Sequence, residues 1–72
     1  MLPPALQEKL DALPERPGVY VYRNGAGEPI YVGKAKSLRQ RVRSYFQPSA
    51  VHPPRIERMV SEVADLEIIV VH

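Results

Sequence analysis

Cysteine is absent from this chain of 72 residues, which excludes both a disulfide framework and a thiolate metal site. Long apolar runs are missing too, because no segment approaches the roughly 20 residues of a membrane-spanning helix. Residues 1–5 carry neither the basic region nor the apolar stretch of a secretory signal. We therefore expect a cytoplasmic protein with no membrane association. Its hydrophobic content of 44% and charged content of 25% are ordinary for a folded domain.

Acidic residues are missing from the middle of the chain. None lies between Glu28 and Glu57, although the net charge of the whole chain is only +2. The same interval holds the cations Lys34, Lys36, Arg39, Arg41, Arg43 and Arg55. A solvated helix face usually mixes signs, because opposite charges one turn apart stabilise the helix. The one-signed stretch therefore favours a surface that binds a polyanion.

The hydrophobic pattern predicts the order helix, strand, strand, helix, helix, strand. The predicted elements are a helix over about 4–12, a hairpin of strands 19–22 and 29–32 around a turn at 24–27, a helix from about Ser37 to Phe46, a loop at 47–50, a helix from Pro53, and a strand over 66–71. This order predicts a small α+β domain in which helices flank a three-stranded antiparallel sheet. The last strand is apolar on both sides, so we expect it to be covered on both faces.

A chain of this length makes one domain at most. We expect residues 1–72 to form it, with the core in residues 13–72 and an N-terminal helix in residues 1–12. A strand of buried type at residues 66–71 would lie almost at the end of the chain. We therefore expect the natural protein to continue beyond His72.

The hairpin contains the first candidate site. A turn centred on Gly25-Ala26 would place Tyr20 opposite Tyr31, so that two phenols share one face of the sheet. Gly33 would leave open backbone beside them. Two tyrosines facing each other also stabilise a hairpin by packing alone, so this pair needs support from elsewhere in the sequence.

The helix after the hairpin supplies that support. Leu38, Val42 and Phe46 form an apolar stripe at helical spacing. Arg41 flanks the stripe on the same edge as Tyr45, where a guanidinium is well placed to bind a phosphate with two hydrogen bonds. The cations Lys36, Arg39 and Arg43 are predicted to lie on the far side as general contacts to a nucleic-acid backbone. Lys34 can reach the same sheet edge, where a lysine favours the phenolate form or accepts a proton.

These residues also resemble a known signature. Gly18-Val19-Tyr20, Ile30-Tyr31-Val32-Gly33 and the contiguous stretch from Lys34 to Phe46 resemble the GIY-YIG endonuclease family, in the branch that forms the N-terminal domain of the C component of excinuclease ABC. The resemblance runs from about Leu13 to the end of the chain. It implies the GIY-YIG nuclease fold and incision of damaged double-stranded DNA on the 3′ side of a lesion, in bacterial nucleotide excision repair. It also implies that the protein acts together with the other excinuclease subunits, the B subunit in particular.

The resemblance implies a role for each site residue. Tyr31 would be the general base that activates water, helped by Lys34, with Tyr20 as the alternative base or as the residue that orients the attacking water. Arg41 would stabilise the charge of the transition state, and Tyr45 would contact the phosphate. Gly33, Lys36, Arg39 and Arg43 complete the predicted DNA-binding set.

The family uses a divalent cation, Mg²⁺ or Mn²⁺, held by a glutamate on a helix after the third strand. No residue of this chain matches that position, since Glu57, Glu62 and Glu67 belong to other elements. We therefore expect the metal ligand to lie beyond His72 and the 72 residues alone to be inactive. His52 is expected to be an exposed loop residue.

Two other functions remain open from the sequence. One is a different GIY-YIG nuclease, either a stand-alone repair enzyme or one fused to an exonuclease. The other is a DNA-binding module without catalysis that uses only the basic helix. The sequence leaves the lesion specificity and the oligomeric state undetermined.

Overall fold

The computed structural model describes residues 2–47 and 51–71, and their elements follow the predicted order. The elements are α1 at Pro4–Asp11, β1 at Gly18–Arg23, β2 at Pro29–Ala35, α2 at Leu38–Phe46, α3 at Pro54–Glu62 and β3 at Asp65–Val70. Within these residues the strands form one antiparallel sheet in the order β2-β1-β3. The predicted α+β class is therefore confirmed.

The core lies on one face of this sheet. Tyr20 and Tyr22 of β1 are 1% and 0% exposed, because alternate residues of a strand point to the same face. The helices cover this face with aliphatic side chains. The buried set is completed by Leu6, Leu10, Leu13, Leu38, Val42, Tyr45, Val63 and Leu66.

The hairpin register differs from the prediction. Tyr20 pairs with Gly33, and Tyr22 pairs with Tyr31, so the predicted pairing of Tyr20 with Tyr31 is wrong by two residues. A shift of two residues leaves every side chain on its original face, whereas a shift of one would have reversed them all. Tyr20 and Tyr31 therefore still share the core face, as diagonal neighbours.

The turn explains the shifted register. Gly27 adopts a φ of 81° and donates its amide hydrogen to the Asn24 carbonyl at 3.0 Å. The Asn24 side-chain oxygen also accepts from the amides of Ala26 and Glu28, at 3.0 Å each. The pairing then becomes irregular between Tyr22 and Arg23. A positive φ is open to glycine at little cost, so Gly27 makes possible a wider turn than the predicted symmetric one.

The prediction that β3 is covered on both faces is wrong. Leu66 is buried on the core face, but Ile69 is 54% exposed on the other face. Val32 of β2 and Val71 beyond β3 are also exposed, at 61% and 47%. None of the described helices covers this face. An apolar composition cannot reveal by itself whether a second layer is present.

The polypeptide before β1 holds the start of α2. Ser37 is the N-cap, as predicted, and its hydroxyl accepts from the Gln40 amide at 3.3 Å. The amides of Leu38 and Arg39 donate to the carbonyls of Arg16 and Pro14, at 2.9 and 3.1 Å. The first amides of α2 are therefore bonded within the protein, which fixes the helix relative to the sheet.

The third helix begins at Pro54 after Pro53, as its sequence predicts. Ile56, Met59 and Val60 are partly buried against the core, and Val63 is buried just past the helix end. The loop predicted at 47–50 lies outside the described residues except for Gln47, and so does His72. No helix within the described ranges is long and apolar enough to cross a bilayer.

Candidate active site

Three tyrosines from three elements meet on the core face of the sheet. The ring centroids of Tyr20 and Tyr31 are 6.1 Å apart, with the rings nearly parallel at 23°. Tyr45 of α2 closes the group, 6.0 Å from Tyr20 and 6.1 Å from Tyr31. The hydroxyls of Tyr20 and Tyr45 are 3.0 Å apart and share a hydrogen bond that either can donate. The sequence predicted that Tyr20, Tyr31 and Tyr45 converge together with Lys34 and Arg41, and the structure brings the three tyrosines together.

Exposure distinguishes these tyrosines. Tyr20 is 1% exposed and Tyr45 is 8% exposed, whereas Tyr31, on the edge strand β2, is only half-buried. Tyr20 also has its hydroxyl engaged with Tyr45. Tyr31 is therefore the phenol that solvent and substrate reach most easily.

Gly33 lies under the Tyr20 ring, and the predicted open backbone is not found. A Cβ added at Gly33 would collide with Cζ and the hydroxyl of Tyr20. Glycine is needed because its missing side chain makes room for the phenol of the residue that it faces across the strands. The spacing of the two signature motifs thus has a steric cause. No contact with a ligand is needed to explain it.

Tyr22 was not among the predicted site residues, although its spacing from Tyr20 places it on the same face. Its ring lies 5.4 Å from those of both Tyr20 and Tyr45, and 6.1 Å from that of Tyr31. It is 0% exposed, and its hydroxyl has no hydrogen-bond partner among the described residues. Burial, and then its neighbouring tyrosines, raise the pKa of Tyr22 well above its usual value. Tyr22 is therefore a neutral packing residue beneath the three site tyrosines.

Arg41 lies over the exposed side of the cluster. Its guanidinium carbon is 5.7 Å from the centre of the Tyr45 ring, a cation–π distance. Interaction with the Tyr20 hydroxyl is the largest of the causes that raise the Arg41 pKa, followed by Tyr45. Arg41 is exposed, which leaves its donors available to an anion.

Tyr45 keeps its proton at neutral pH. Burial is the largest cause that raises the Tyr45 pKa, and hydrogen bonding to Tyr20 and then to Tyr31 adds to it. A neutral phenol donates a hydrogen bond and does not act as a base. The site therefore offers a guanidinium and a phenol as adjacent donors, with the more open Tyr31 beside them.

Lys34 does not join the phenols. It pairs with Val19 of β1, whose alternation places both residues on the face opposite the tyrosines. Lys34 is exposed, and within the described ranges no hydrogen bond joins it to a tyrosine. Because β2 is an edge strand, Lys34 still reaches the groove beside α2 that Arg41 also lines.

The other predicted DNA-binding cations separate into two groups. Arg39 and Arg43 face α1 and the segment after it. Arg39 donates to the Leu13 carbonyl at 2.8 Å and pairs with Glu15 at 3.2 Å, while Arg43 pairs with Asp11 at 3.7 Å. Lys36 precedes the first residue of α2, so helical spacing does not apply to it and its predicted place beside Arg39 and Arg43 is wrong. It lies in the groove with Arg41.

His52 is not the exposed residue that the sequence suggested. It is half-buried and stacks on the Tyr45 ring, with centroids 5.7 Å apart and an angle of 27°. Its Nε2 is buried without a hydrogen-bond partner in the described part of the chain. No pattern in the sequence connects His52 with α2, because the contact forms only when α3 folds back on the core.

The carboxylate and histidine side chains of the described residues are dispersed, and no three of them lie together. On β3, Asp65 pairs with Lys9 at 2.6 Å and Glu67 pairs with Arg23 at 3.0 Å. Phenols and a guanidinium line the tyrosine face, whereas Mg²⁺ prefers carboxylate and carbonyl oxygens.

Comparison with known families identifies the chain. The family model described as "UvrC-like GIY-YIG domain" matches residues 16–72. The chain belongs to the UvrC-like GIY-YIG domain family. The UvrABC system protein C of Alkaliphilus oremlandii is 58% identical over 65 residues, which are 90% of this chain and 10% of that protein. That of Gloeobacter violaceus is 58% identical over 67 residues, covering 93% and 11%.

Solved structures show the same fold. The GIY-YIG N-terminal endonuclease domain of UvrC from Thermotoga maritima, bound to magnesium as its catalytic divalent cation, is 41% identical with a TM-score of 0.80. The match covers 99% of this chain and 75% of that one. A variant of the same UvrC domain with a single tyrosine replaced by phenylalanine, also bound to the catalytic cation, matches at 39% identity and a TM-score of 0.80. The chain therefore spans about a tenth of its curated UvrC relatives and three quarters of their solved GIY-YIG domain.

Proposed function

We propose that this domain is a DNA endonuclease that hydrolyses one phosphodiester bond on the 3′ side of a lesion during nucleotide excision repair. The observation that supports it most is the meeting of Tyr20, Tyr31, Tyr45 and Arg41, in which the exposed Arg41 and the half-buried Tyr31 adjoin two buried phenols. The likeness to UvrABC system protein C supports this function over that of another GIY-YIG nuclease.

Tyr31 is proposed as the general base. It is the most open of the three phenols and lies on the edge strand, where an attacking water can reach its hydroxyl. In its phenolate form it takes a proton from that water as the water oxygen bonds to phosphorus and the bond to the leaving oxygen breaks. Tyr20, buried and bonded to Tyr45, is better placed to fix the positions of its neighbours.

Arg41 and Tyr45 are proposed to hold the phosphate. The guanidinium donates to phosphate oxygens in a paired arrangement, and the neutral Tyr45 hydroxyl adds a third donor. Both groups are positioned before the substrate arrives, because Arg41 lies over the Tyr45 ring. Preorganised donors stabilise the charge that grows on the phosphate oxygens in the transition state.

A divalent cation, Mg²⁺ or Mn²⁺, is proposed as the cofactor, and it neutralises charge on the phosphate when bound. Its carboxylate ligand is proposed to be the glutamate that the family carries after the third strand, outside these residues. In the Thermotoga maritima domain the cation is bound even when a single tyrosine is phenylalanine. That supports separate roles, in which tyrosines activate the water and contact the phosphate while a carboxylate binds the metal.

The remaining predictions concern the longer protein. We propose that it acts on damaged double-stranded DNA in the cytoplasm together with the other UvrABC subunits, the B subunit among them. A DNA-binding module without catalysis is the alternative from another class. The closeness of three phenols argues against it, because backbone binding alone needs only cations.

Replacing Tyr31 with phenylalanine tests the proposal. In the natural protein that contains this domain, supplied with Mg²⁺ and a lesion-bearing duplex, Tyr31→Phe should lower the incision rate at least about a hundredfold, since general-base catalysis is worth that much or more. Affinity for the duplex should stay within about twofold, because no charge is lost. Gel-resolved incision and fluorescence anisotropy measure the two quantities.

Tyr22→Phe is the matched control, because it removes a phenol hydroxyl from the same face beneath the site. It should retain incision. Equal loss in both variants would contradict a specific role for Tyr31, and absence of any Mg²⁺-dependent incision would favour the binding module. The 72-residue chain alone should not cut the duplex at any Mg²⁺ concentration.

A further inference from the structure

An open groove runs along one side of α2, next to the tyrosine cluster. It is lined by Lys34, Ala35, Lys36, Ser37, Gln40, Arg41 and Ser44. The lining holds three cations and no carboxylate, so its field attracts anions. The groove is continuous with the candidate active site, because Arg41 both lines it and lies over the Tyr45 ring.

The groove cations differ from the other cations of α2 in their partners. Lys34, Lys36 and Arg41 have no ion pair within the described ranges, whereas Arg39 and Arg43 are paired with Glu15 and Asp11. An unpaired cation offers its full charge to a phosphate, whereas the neighbouring carboxylate offsets part of the charge of a paired one. The two basic sides of α2 are therefore unequal as binding surfaces.

Polar side chains of the groove reinforce this difference. Gln40 is exposed, and its amide side chain has no hydrogen-bond partner in the described part of the chain. It can donate to a phosphate oxygen. Ser44 donates its hydroxyl hydrogen to the Arg41 carbonyl at 2.6 Å, so Gln40 is the neutral side chain of the groove that is free to donate.

We propose that the phosphates flanking the scissile bond of a DNA strand lie in this groove, held by Lys34, Lys36 and Gln40. Arg39 and Arg43 serve instead to fasten α2 to α1 and the segment after it. The strand then enters the active site at Arg41. This inference rests on the proposed function for its ligand class, a DNA strand, and it changes which cations of α2 bind that strand.

Gln40→Glu tests the groove without harming the fold. Gln40 is the third residue of α2 after the N-cap Ser37, where glutamate completes a capping box and is favoured by the helix dipole. The melting temperature of the 72-residue chain should therefore stay the same or rise. Affinity for a short fluorescein-labelled duplex, measured by anisotropy at low salt, should fall about fivefold because a negative charge now faces the strand.

Gln7→Glu is the matched control on the other side. It makes the same change of charge on α1, in a depression that Arg43 and Asp11 also line. Because it also breaks the hydrogen bond from the Gln7 amide to Asp11 at 3.1 Å, its melting temperature is measured alongside its affinity. Its affinity for the duplex should stay within about twofold of the parent chain. If Gln7→Glu weakens binding as much as Gln40→Glu, or more, the groove is not the binding surface.

A second pair of variants removes a positive charge instead of adding a negative one. Lys36→Gln should reduce the slope of log affinity against log salt by about one, as expected for one lost phosphate contact. Arg43→Gln should leave that slope unchanged. The reverse result would overturn the proposal that the groove binds the strand, and it would restore Arg43 as a DNA contact. Absence of any Mg²⁺-dependent incision by the natural protein would instead overturn the proposed function, so the two failures are distinguishable.

Discussion

Single residues at this site are defined by the space that their neighbours leave. Gly33 is required because the Tyr20 ring occupies the place of its side chain. Tyr22 supports the rings of Tyr20, Tyr31 and Tyr45 from below, while its own hydroxyl is buried without a partner in the described ranges. The Tyr22 ring therefore holds the site tyrosines in place, whereas its unpaired buried hydroxyl lowers the stability of the fold.

Tyr22→Phe should separate these two contributions. Removing an unpaired buried hydroxyl should leave the free energy of unfolding unchanged or raise it by about 1 kcal/mol. Tyr22→Leu, which loses the ring contacts, should lower it by about 1–3 kcal/mol. Urea unfolding followed by circular dichroism measures both, and a clearly destabilised Tyr22→Phe would mean that the hydroxyl is bonded.

The same substitution should change the alkaline limit of stability. Because the folded pKa of Tyr22 is raised above the usual 10.0, its contribution is fully present below that pH and is lost as pH rises toward the folded value. Tyr22→Phe removes this ionisation, so alkaline unfolding should move to higher pH. Tyr45, whose pKa is also raised, remains and limits the gain.

Among the elements, α2 has three sides that make different contacts. Leu38 and Val42 bury one side in the core, Arg39 and Arg43 bind the region of α1 on the second, and Arg41 with Gln40 faces outward on the third. A helix that contributes to core, scaffold and site together constrains all three. The two basic sides look alike in the sequence and differ only in what lies opposite them.

α1 is also fastened to β3, through the ion pair of Lys9 with Asp65. The hydrogen bond from Lys9 is the largest cause that lowers the Asp65 pKa below 3.8, followed by the Leu66 amide. A lowered carboxyl pKa stabilises the fold above the unfolded value, and this stabilisation is lost as pH falls through the folded pKa.

Asp65→Asn should therefore melt below the parent chain at about pH 7, and the difference should shrink as the pH falls below the ordinary carboxyl pKa of 3.8. Glu62→Gln is the control, since its pair with Arg58 lies within α3 and joins no second element. Thermal melts by circular dichroism at neutral pH and in acid measure the effect. A difference that persists in acid would show that the effect of the substitution does not come from the charge of Asp65.

At the scale of the whole molecule, the described helices pack on only one face of the sheet. The helices and the tyrosines pack on one face of the sheet, and the other face exposes Val32 and Ile69. A sheet with one covered face has half the core of a three-layer domain, so each buried residue on the packed side contributes a large share of the stability.

The same substitution at two valines should measure this asymmetry. Val42 is 0% exposed on α2 and Val32 is 61% exposed on β2. Val42→Thr should lower the free energy of unfolding by about 1–3 kcal/mol, because it buries a hydroxyl. Val32→Thr should change it by less than about 0.5 kcal/mol. Similar losses in chemical unfolding would mean that the open face is covered in solution.

Local patterns in the sequence determined the elements and the family. Periods of two and of about 3.6 residues predict the strands, the helices and the faces that they bury. The alternation in β1 and the stripe in α2 therefore placed Tyr20, Tyr31 and Tyr45 on one face. That result survived an error of two residues in the register, because faces depend only on whether the shift is odd or even.

Only the tertiary structure decided what lies opposite each residue. The wider turn at Gly27 set the register, and the pairing with Val19 placed Lys34 on the far face. Asp11 of α1 paired Arg43, and Glu15 in the segment after α1 paired Arg39. His52 reached Tyr45 in the same way. The pairings of Lys34, Arg39 and Arg43 join residues that are 15 or more positions apart, and the other two depend on how a turn or a neighbouring helix closes. A local pattern gives the direction of a side chain, but it carries no information about which partner the rest of the chain brings to it.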